Sequence, residues 1–183
     1  MSPTYLLKIV TVGSASVGKT SMIVRYSTGA FREHYSPTLG TGFAFKKIRL
    51  DKDTYVNLQI WDMGSQDFLE RVRANYYNGA SGVMFLFDVT QWESLNDILD
   101  WKAEVDKNLD NYVPLLVANK VDLVMERVVS TEEGKEVAEK FNGEYIEMSV
   151  RLDKNVNEAF AKMARLVVEK LFKTPTERES MEP

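Results

Sequence analysis

The sequence predicts an α/β fold: a six-stranded, mostly parallel sheet with one antiparallel edge strand and about five helices on both faces. Apolar and amphipathic runs alternate in the order βαββαβαβαβα, which is typical of a parallel sheet connected by crossover helices. Residues 83–87 are entirely apolar, as expected for a central parallel strand. The turn Asp51-Lys52-Asp53 predicts one hairpin and therefore the single antiparallel pair.

The individual elements follow from local patterns. Six runs that are apolar throughout, or alternate apolar with polar residues, predict strands at residues 6–12, 44–50, 55–61, 83–87, 114–118 and 145–148. Helical spacing of apolar residues predicts helices at residues 19–26, 95–107, 131–141 and 156–172. The motif STEE opens the third of these as a capped helix start. The alternation adds a fifth helix between the third and fourth strands.

Composition narrows the functional classes. The 183 residues suit one domain, and 23 basic against 27 acidic residues give a net charge of −4. We therefore expect no binding to nucleic acid. The absence of cysteine excludes disulfides, thiolate metal sites, thiol catalysis and a thioether lipid anchor. We expect a cytoplasmic location, because the N-terminal apolar run is too short for a signal peptide or a membrane span.

The loop GSASVGKT fits the phosphate-loop pattern G-x-x-x-x-G-K-[ST] between a predicted strand and a predicted helix. Its glycines let the backbone bend around phosphates, so that N–H groups and the helix dipole point at the anion. Lys19 can reach the β- and γ-phosphates, and Thr20 offers a hydroxyl to Mg²⁺. The predicted phosphate-binding residues are Gly13, Ser14, Ala15, Ser16, Val17, Gly18, Lys19 and Thr20. The pattern alone leaves open ATP or GTP, and hydrolysis or phosphate transfer.

The stretch LLVANKVDL indicates the base. Asn119, Lys120 and Asp122 follow a predicted strand, at the edge where doubly wound sheets bind ligands. The Asp122 carboxylate can accept hydrogen bonds from two adjacent N–H groups of guanine. Adenine would present a lone pair and leave the carboxylate unpaired. N-K-x-D alone is also compatible with a helix-capping loop, but its place downstream of a phosphate loop favours guanine.

With these motifs, the sequence resembles the Ras superfamily of small GTPases and most closely its Rab branch, over about residues 4–172. The resemblance is carried by GSASVGKT, SPTLGTGF, LQIWDMGSQDF, YYNGASG, FLFDVT, VANKVDL and EMSVRLDKNVNEAF. The YYNGA motif, the Trp61-Asp62 pair and ERVVSTEEG are similar to Rab sequences. The resemblance implies a P-loop NTPase small G domain at residues 1–173, followed by a short polar tail at 174–183.

The resemblance also implies a guanine pocket. Phe31 would lie against the ring, and Asn119, Lys120 and Asp122 would bind the base. Lys120 would pack its stem on the ring and tie back to the phosphate loop. The final motif is Ser149-Val150-Arg151, where the family has Ser-Ala-Lys. Its first two residues would complete the pocket. Arg151 is counted with them among the guanine-binding residues, although the role of the family's lysine stays open for it.

Hydrolysis of GTP, with Mg²⁺ as cofactor, is the implied reaction. Gln66 would orient the attacking water, and the implied catalytic set is Gln66, Lys19 and Thr38. Thr20, Thr38 and, through water, Asp62 would hold Mg²⁺. The N–H of Ser65 would sense the γ-phosphate.

Two loops, residues 32–42 and 63–75, are the implied switches of a molecular switch in vesicle or membrane trafficking. Phe43, Trp61 and Tyr76 match the aromatic triad that Rab proteins use to recognise effectors. The alternative is that they are core aromatics, and for Trp61 both interpretations stay open. The implied partners are GTP or GDP, an exchange factor, a GTPase-activating protein and effector proteins.

Besides Ser149-Val150-Arg151, the sequence departs from the family in the second switch and in the tail. The second switch reads DMGSQD where the family has DTAGQE, so Ser65 replaces a glycine and Gly64 precedes it. We expect slow hydrolysis, because Ser65 lacks free access to positive φ. The tail carries one arginine against three glutamates and no cysteine, so no intrinsic lipid anchor is expected. Either the C-terminus was trimmed or this is an unlipidated relative.

The sequence distinguishes three candidate functions. A GTP-hydrolysing switch is favoured over a nucleotide-locked GTP/GDP-binding scaffold with negligible hydrolysis, which Ser65 and the missing anchor would suit. A small-molecule kinase lacks a lid and conflicts with Asp122. Glu104 and Asp106 are interpreted as the solvent face of a helix.

Overall fold

The computed structural model describes residues 4–31, 41–66 and 69–172 of the chain. Its centre is a six-stranded sheet in the order β2-β3-β1-β4-β5-β6. The strands are β1 (Thr4–Val12), β2 (Thr41–Arg49), β3 (Tyr55–Met63), β4 (Gly82–Asp88), β5 (Val113–Asn119) and β6 (Glu144–Glu147). Only the edge strand β2 is antiparallel, with Thr41 opposite Met63 and Arg49 opposite Tyr55; the other pairs are parallel. The predicted fold class is confirmed.

The helices of the described residues are α1 (Lys19–Thr28), α2 (Glu70–Tyr77), α3 (Trp92–Asn96), α4 (Ile98–Asp106), α5 (Thr131–Glu139) and α6 (Val156–Val167). The predicted capped start of α5 is confirmed, because Ser130 and Glu133 form a reciprocal capping box. A π-helical turn, Val168–Phe172, follows α6, so the prediction of one helix over 156–172 was wrong in its last turn.

The prediction of one helix over 95–107 was also wrong, because two short helices meet at Asp97. Leu95 and Ile98 are both buried on either side of this junction. The apolar spacing therefore continues through the break, and periodicity alone could not reveal it.

Apolar side chains cover both faces of the sheet. Leu7 and Ile9 of β1 face a cluster that includes Phe160 of α6, whereas Val10 faces a second cluster that includes Tyr77 of α2. Every residue of β4 and β5 is buried, as expected for central parallel strands between two helical layers. The fold is thus held by two apolar layers that share one sheet.

This packing brings the carboxyl ends of the parallel strands together at one edge. Gly13 follows β1, Asp62 lies near the end of β3, and Asp88 and Asn119 end β4 and β5. The predicted nucleotide residues therefore converge at the edge where such sheets bind ligands. No helix within the described ranges is long and apolar enough to cross a membrane. The predicted tail, 174–183, and Thr38 lie outside the described residues.

Candidate functional site

The loop between β1 and α1 has the conformation that its glycines permit. Gly13 has φ of 139° and Gly18 has φ of 104°, values that L side chains rarely adopt. A Cβ on Gly13 would lie 2.2 Å from the carbonyl oxygen of Leu86, and one on Gly18 would lie 2.3 Å from Nδ2 of Asn119. The loop therefore requires glycine at both positions for backbone conformation and for space.

Lys19 begins α1 and is 7% exposed. Its ammonium donates to the carbonyl oxygens of Gly13 at 2.6 Å and Ser14 at 2.8 Å. Burial lowers the pKa of Lys19 to about 8, although the negative charge of Asp62 opposes this shift. The positive charge thus lies inside the loop curve, where the phosphates of a nucleotide would sit.

A second contact fixes the other side of this loop. The hydroxyl of Ser14 donates to a carboxylate oxygen of Asp97 at 2.6 Å, so the junction of α3 and α4 supports the phosphate loop. Sequence patterns gave no signal for this pair, because its two members are 83 residues apart.

Thr20 and Asp62 offer oxygen atoms beside the loop. The hydroxyl of Thr20 donates to Oδ2 of Asp62 at 2.5 Å, and Asp62 is 3% exposed. Carboxylate and hydroxyl oxygens are the hard ligands that Mg²⁺ prefers. No cluster of three or more His, Cys, Asp or Glu suited to a metal occurs in the part of the chain that is described. The donor set fits an ion that keeps water or phosphate oxygens as its other ligands.

Asn119 connects the two ends of the candidate site. Its side chain, 2% exposed, donates to the carbonyl oxygen of Val17 at 2.9 Å. Its amide oxygen accepts from the backbone N–H of Val150 at 3.2 Å. The predicted base motifs and the phosphate loop are therefore joined by one buried amide.

Asp122 and Ser149 form a hydrogen-bonded polar pair at the predicted base site. The hydroxyl of Ser149 donates to Asp122 at 2.6 Å and accepts from the N–H of Leu152 at 3.0 Å. Ser149 is fully buried, so it orients the carboxylate from behind. The hydrogen bond from Ser149 therefore fixes Oδ1 of Asp122 and the orientation of the whole carboxylate.

The ammonium of Lys120 has a different partner from the one predicted. Its ammonium lies 2.6 Å from Oδ2 of the buried Asp88, rather than at the phosphate loop. Asp88 pairs with Asn119 across β4 and β5, so this carboxylate is the nearest anion at the same edge. The expected tie from Lys120 to the loop was wrong.

A cavity of about 300 Å³ opens between these groups. Its lining residues are Ser16, Gly18, Ser21, Phe31, Asn119, Lys120, Asp122, Leu123, Val150 and Arg151. The structure thus brings six of the seven predicted guanine residues to one cavity, and Ser149 stands behind Asp122. Ser21 and Leu123 were missed, although each directly follows a predicted site residue.

The second predicted loop is held by an arginine that sequence analysis missed. Arg73 of α2, 3% exposed, donates to the carbonyl oxygens of Gly64 at 3.1 Å and Gln66 at 2.8 Å. Its other nitrogens bind Glu104 of α4. The interpretation of Glu104 as a solvent-facing residue was therefore wrong, whereas Asp106 is an exposed partner of Lys102.

Gln66 lies at the end of the described part of this loop. Its backbone carbonyl accepts from Arg73, while no donor within residues 4–31, 41–66 and 69–172 reaches the buried Oε1 of its side chain. Neither Gly64 nor Ser65 is among the described residues with positive φ. The serine therefore fits this conformation of the loop without backbone strain.

The three predicted effector aromatics are neighbours. The ring of Trp61 lies 5.3 Å from that of Phe43 and 5.4 Å from that of Tyr76. Phe43 is 56% exposed, whereas Trp61 and Tyr76 are half-buried against the core. The trio forms a surface with one protruding ring, and the ammonium of Lys8 lies 4.6 Å from the Trp61 ring.

Comparison with known proteins agrees with this geometry. Residues 8–169 match the model of the Ras family. The chain is 37% identical over 174 residues to Ras-related protein Rab-1 of Theileria parva, covering 94% of this chain and 79% of that protein. It is 36% identical over 168 residues to human Rab-3A, with coverage of 91% and 76%. It is 34% identical over 168 residues to RABD1 of Arabidopsis thaliana, with coverage of 91% and 82%.

Proposed function

The chain is a small GTPase of the Ras superfamily, in the Rab branch, and from this premise we propose how its residues bind and hydrolyse GTP and act as a switch. The observation that carries the proposal is the cavity in which the base motifs meet the phosphate loop. The side chain of Asn119 joins the phosphate loop and the last base motif by hydrogen bonds to the backbone of Val17 and Val150. One ligand with a base at one end and phosphates at the other suits this arrangement.

Guanine is the base we propose. Asp122, oriented by Ser149, would accept from two N–H groups of guanine, and adenine would leave that carboxylate unpaired. Phe31, Asn119, Lys120, Val150 and Arg151 line the same cavity. This arrangement supports GTP and GDP over the adenine nucleotides.

The phosphates would bind residues 13–20, with the N–H of Ser65 at the γ-phosphate. Lys19, already inside the loop curve, would exchange its carbonyl partners for phosphate oxygens. Thr20 and, through water, Asp62 would hold Mg²⁺, joined by Thr38 when a γ-phosphate is present. The ion would supply positive charge against the phosphates.

Hydrolysis would proceed by in-line attack of water on the γ-phosphate. The side chain of Gln66 would orient that water, and Lys19 with the loop N–H groups would stabilise the charge of the transition state. An arginine beside the phosphates speeds GTP hydrolysis by stabilising the charge of the transition state. Arg73 is not a candidate for this role, because it is committed to Glu104 and to two carbonyl oxygens. A GTPase-activating protein would supply this arginine.

As a switch, the protein would respond to the γ-phosphate through residues 32–42 and 63–75. We propose that effectors recognise the GTP-bound form at Phe43, Trp61 and Tyr76. An exchange factor would restore GTP. We propose action in membrane trafficking, from the cytoplasmic side, because the chain belongs to the Rab branch.

One observation favours a second function, a nucleotide-locked scaffold. Arg73 binds the carbonyl oxygens of Gly64 and Gln66, the residues on either side of Ser65. Ser65 itself stands where the family has glycine. If the loop stayed in this arrangement, the side-chain oxygen of Gln66 would remain buried and could not orient the attacking water.

Single-turnover hydrolysis of GTP preloaded with Mg²⁺ decides between the two. We expect slow turnover in the wild type and a further loss of at least about tenfold in Gln66→Leu, which removes a water-orienting interaction of roughly 1.4 kcal/mol or more. Gln59→Leu is the matched control, since Gln59 lies on β3, away from the phosphate loop. Equal and negligible turnover in wild type and Gln66→Leu, with GTP still bound, would favour the scaffold.

A further inference from the structure

Arg25, in the last turn of α1, donates hydrogen bonds to three backbone carbonyl groups. Its Nε donates to Val150 at 3.1 Å, Nη2 to Arg151 at 3.0 Å and Nη1 to Gly29 at 2.9 Å. The guanidinium also lies 5.2 Å from the centre of the Phe31 ring. One side chain thus joins the end of α1, the loop after β6 and the residue before the first switch.

Three of these four partners form one side of the cavity. Phe31, Val150 and Arg151 line it, whereas Arg25 does not. Arg25 therefore stands behind the wall that would face the base. Since its acceptors are all main-chain oxygens, it fixes the path of the backbone.

Arginine is suited to this position for a geometric reason. Its planar guanidinium presents donors in fixed directions, so it can hold carbonyl groups from separate segments at the same time. The flat face of the same guanidinium can also pack on an aromatic ring. A lysine would offer a point charge and could not reproduce both arrangements.

We propose that Arg25 is a positioning residue for the guanine pocket, and that it sets how long GDP and GTP stay bound. The inference rests on the proposed binding of guanine nucleotides to the cavity. Loss of Arg25 frees Phe31 and the loop of Val150 and Arg151 to move apart, and the base then leaves sooner. The γ-phosphate end is held by other residues, since Lys19 donates to Gly13 and Ser14 and the carbonyl oxygen of Gln66 accepts from Arg73.

The test measures release of a fluorescent GDP analogue from the full-length protein after addition of excess unlabelled GDP. The variants are Arg25→Gln and Arg25→Lys. Arg49→Gln is the matched control, because Arg49 also donates to two backbone carbonyl groups, of Asp51 and Lys52, and lies 5.8 Å from an aromatic ring, that of Tyr55. It sits at the hairpin end of β2, opposite the phosphate loop.

We expect release to accelerate at least tenfold in Arg25→Gln and by a smaller factor in Arg25→Lys, with Arg49→Gln within twofold of wild type. Single-turnover hydrolysis of GTP already bound should change no more than twofold in Arg25→Gln, because only retention of the base is affected. The thermal midpoint at saturating GDP reports whether each variant folds.

A double-mutant cycle with Phe31→Leu tests the route of the effect. If Arg25 acts by holding Phe31, the combined variant releases GDP more slowly than the product of the two single effects predicts. Release from Arg25→Gln at the wild-type rate, or equal loss of retention and hydrolysis, would overturn the inference while leaving the proposed function intact. Failure of the wild type to bind the analogue would overturn both.

Discussion

Arg73 and Glu104 form a bidentate ion pair between α2 and α4, with Nε and Nη2 of the guanidinium each 2.7 Å from one carboxylate oxygen. The side chains are 4% and 14% exposed. Tyr77 donates to the same carboxylate at 2.7 Å, and burial together with this bond raises the pKa of its hydroxyl. The pair makes Arg73 a fixed support for the loop of Gly64 and Gln66.

The first prediction concerns this support. Arg73→Ala should destabilise the protein by about 3–5 kcal/mol, because it leaves the Glu104 carboxylate buried without its cation. Under the proposed switch, hydrolysis of bound GTP should also slow, since the loop loses both hydrogen bonds from Nη1 of Arg73. Faster hydrolysis would instead indicate that Arg73 holds Gln66 away from the water, as in the scaffold. Urea unfolding and single-turnover hydrolysis measure the two effects.

The double variant Arg73→Met/Glu104→Met separates stability from positioning. Replacing both partners by apolar groups should recover most of the lost stability, while hydrolysis stays slow because the carbonyl groups remain unsupported. Wild-type hydrolysis in this double variant would show that Arg73 acts on stability alone.

Ser65→Gly should raise the rate of single-turnover GTP hydrolysis by about tenfold, equivalent to roughly 1.4 kcal/mol of the barrier. Ser65 has no positive φ in this structure, so the expected gain lies in the GTP-bound arrangement, where a glycine can turn its N–H to the γ-phosphate. Ser81→Gly, at the residue just before β4, is the control, because it makes the same substitution in another part of the fold. An unchanged rate in Ser65→Gly would remove Ser65 as the cause of slow turnover.

Asp122→Asn should change the base that the pocket accepts. The amide cannot accept from both N–H groups of guanine, so affinity for GDP should fall by about 100-fold or more. Xanthosine diphosphate carries an oxygen in place of the guanine amino group, and it should bind the variant better than the wild type. Competition against a fluorescent GDP analogue measures the affinities for GDP and for xanthosine diphosphate. Asp106→Asn, on the exposed face of α4, is the control. Unchanged preference for GDP in Asp122→Asn would contradict the guanine assignment.

Glu147 should contribute to stability in a defined pH range. Burial pushes its pKa up, but hydrogen bonds from Arg127, Thr131 and Tyr145 outweigh burial and lower the pKa from 4.5 to about 2. The unfolded chain therefore binds more protons between these values, so this contribution is complete above pH 4.5 and is lost as the pH falls towards 2.

In Glu147→Gln, the free energy of unfolding should be lower than in wild type at pH 7, and the difference should shrink between pH 4.5 and 3. Urea unfolding at several pH values measures it. Glu144→Gln is the neighbouring control on β6, because Glu144 pairs with Lys162 at a half-exposed site. A difference from wild type that is the same at pH 7 and pH 3 would contradict the assignment.

The sheet and the cavity could be predicted from sequence because their signals are local. The phosphate loop needs a glycine at each end, and both Gly13 and Gly18 adopt the positive φ that this implies. Asn119 and Asp122 follow a strand whose apolar run is easily recognised. Because the strands that precede these motifs are parallel, the motifs are predicted to lie at the same edge of the sheet.

The supporting residues could not be predicted in this way. Arg73 contacts a partner 31 residues away, and Arg25 contacts one 125 residues away. Their roles depend on how α1, α2 and α4 pack. The partner of Lys120 could not be predicted from the sequence either, because Asp88 lies beside Lys120 only when β4 and β5 are paired.

The buried amide of Asn119 has a consequence for folding. It spans segments that are 102 and 31 residues distant along the chain, so the pocket exists only when the first and last thirds of the chain are docked on the same sheet. A nucleotide that binds only the docked chain stabilises β1 and the loop after β6 together through linkage. Slow amide hydrogen exchange should therefore spread, upon nucleotide binding, to backbone positions that never touch the ligand.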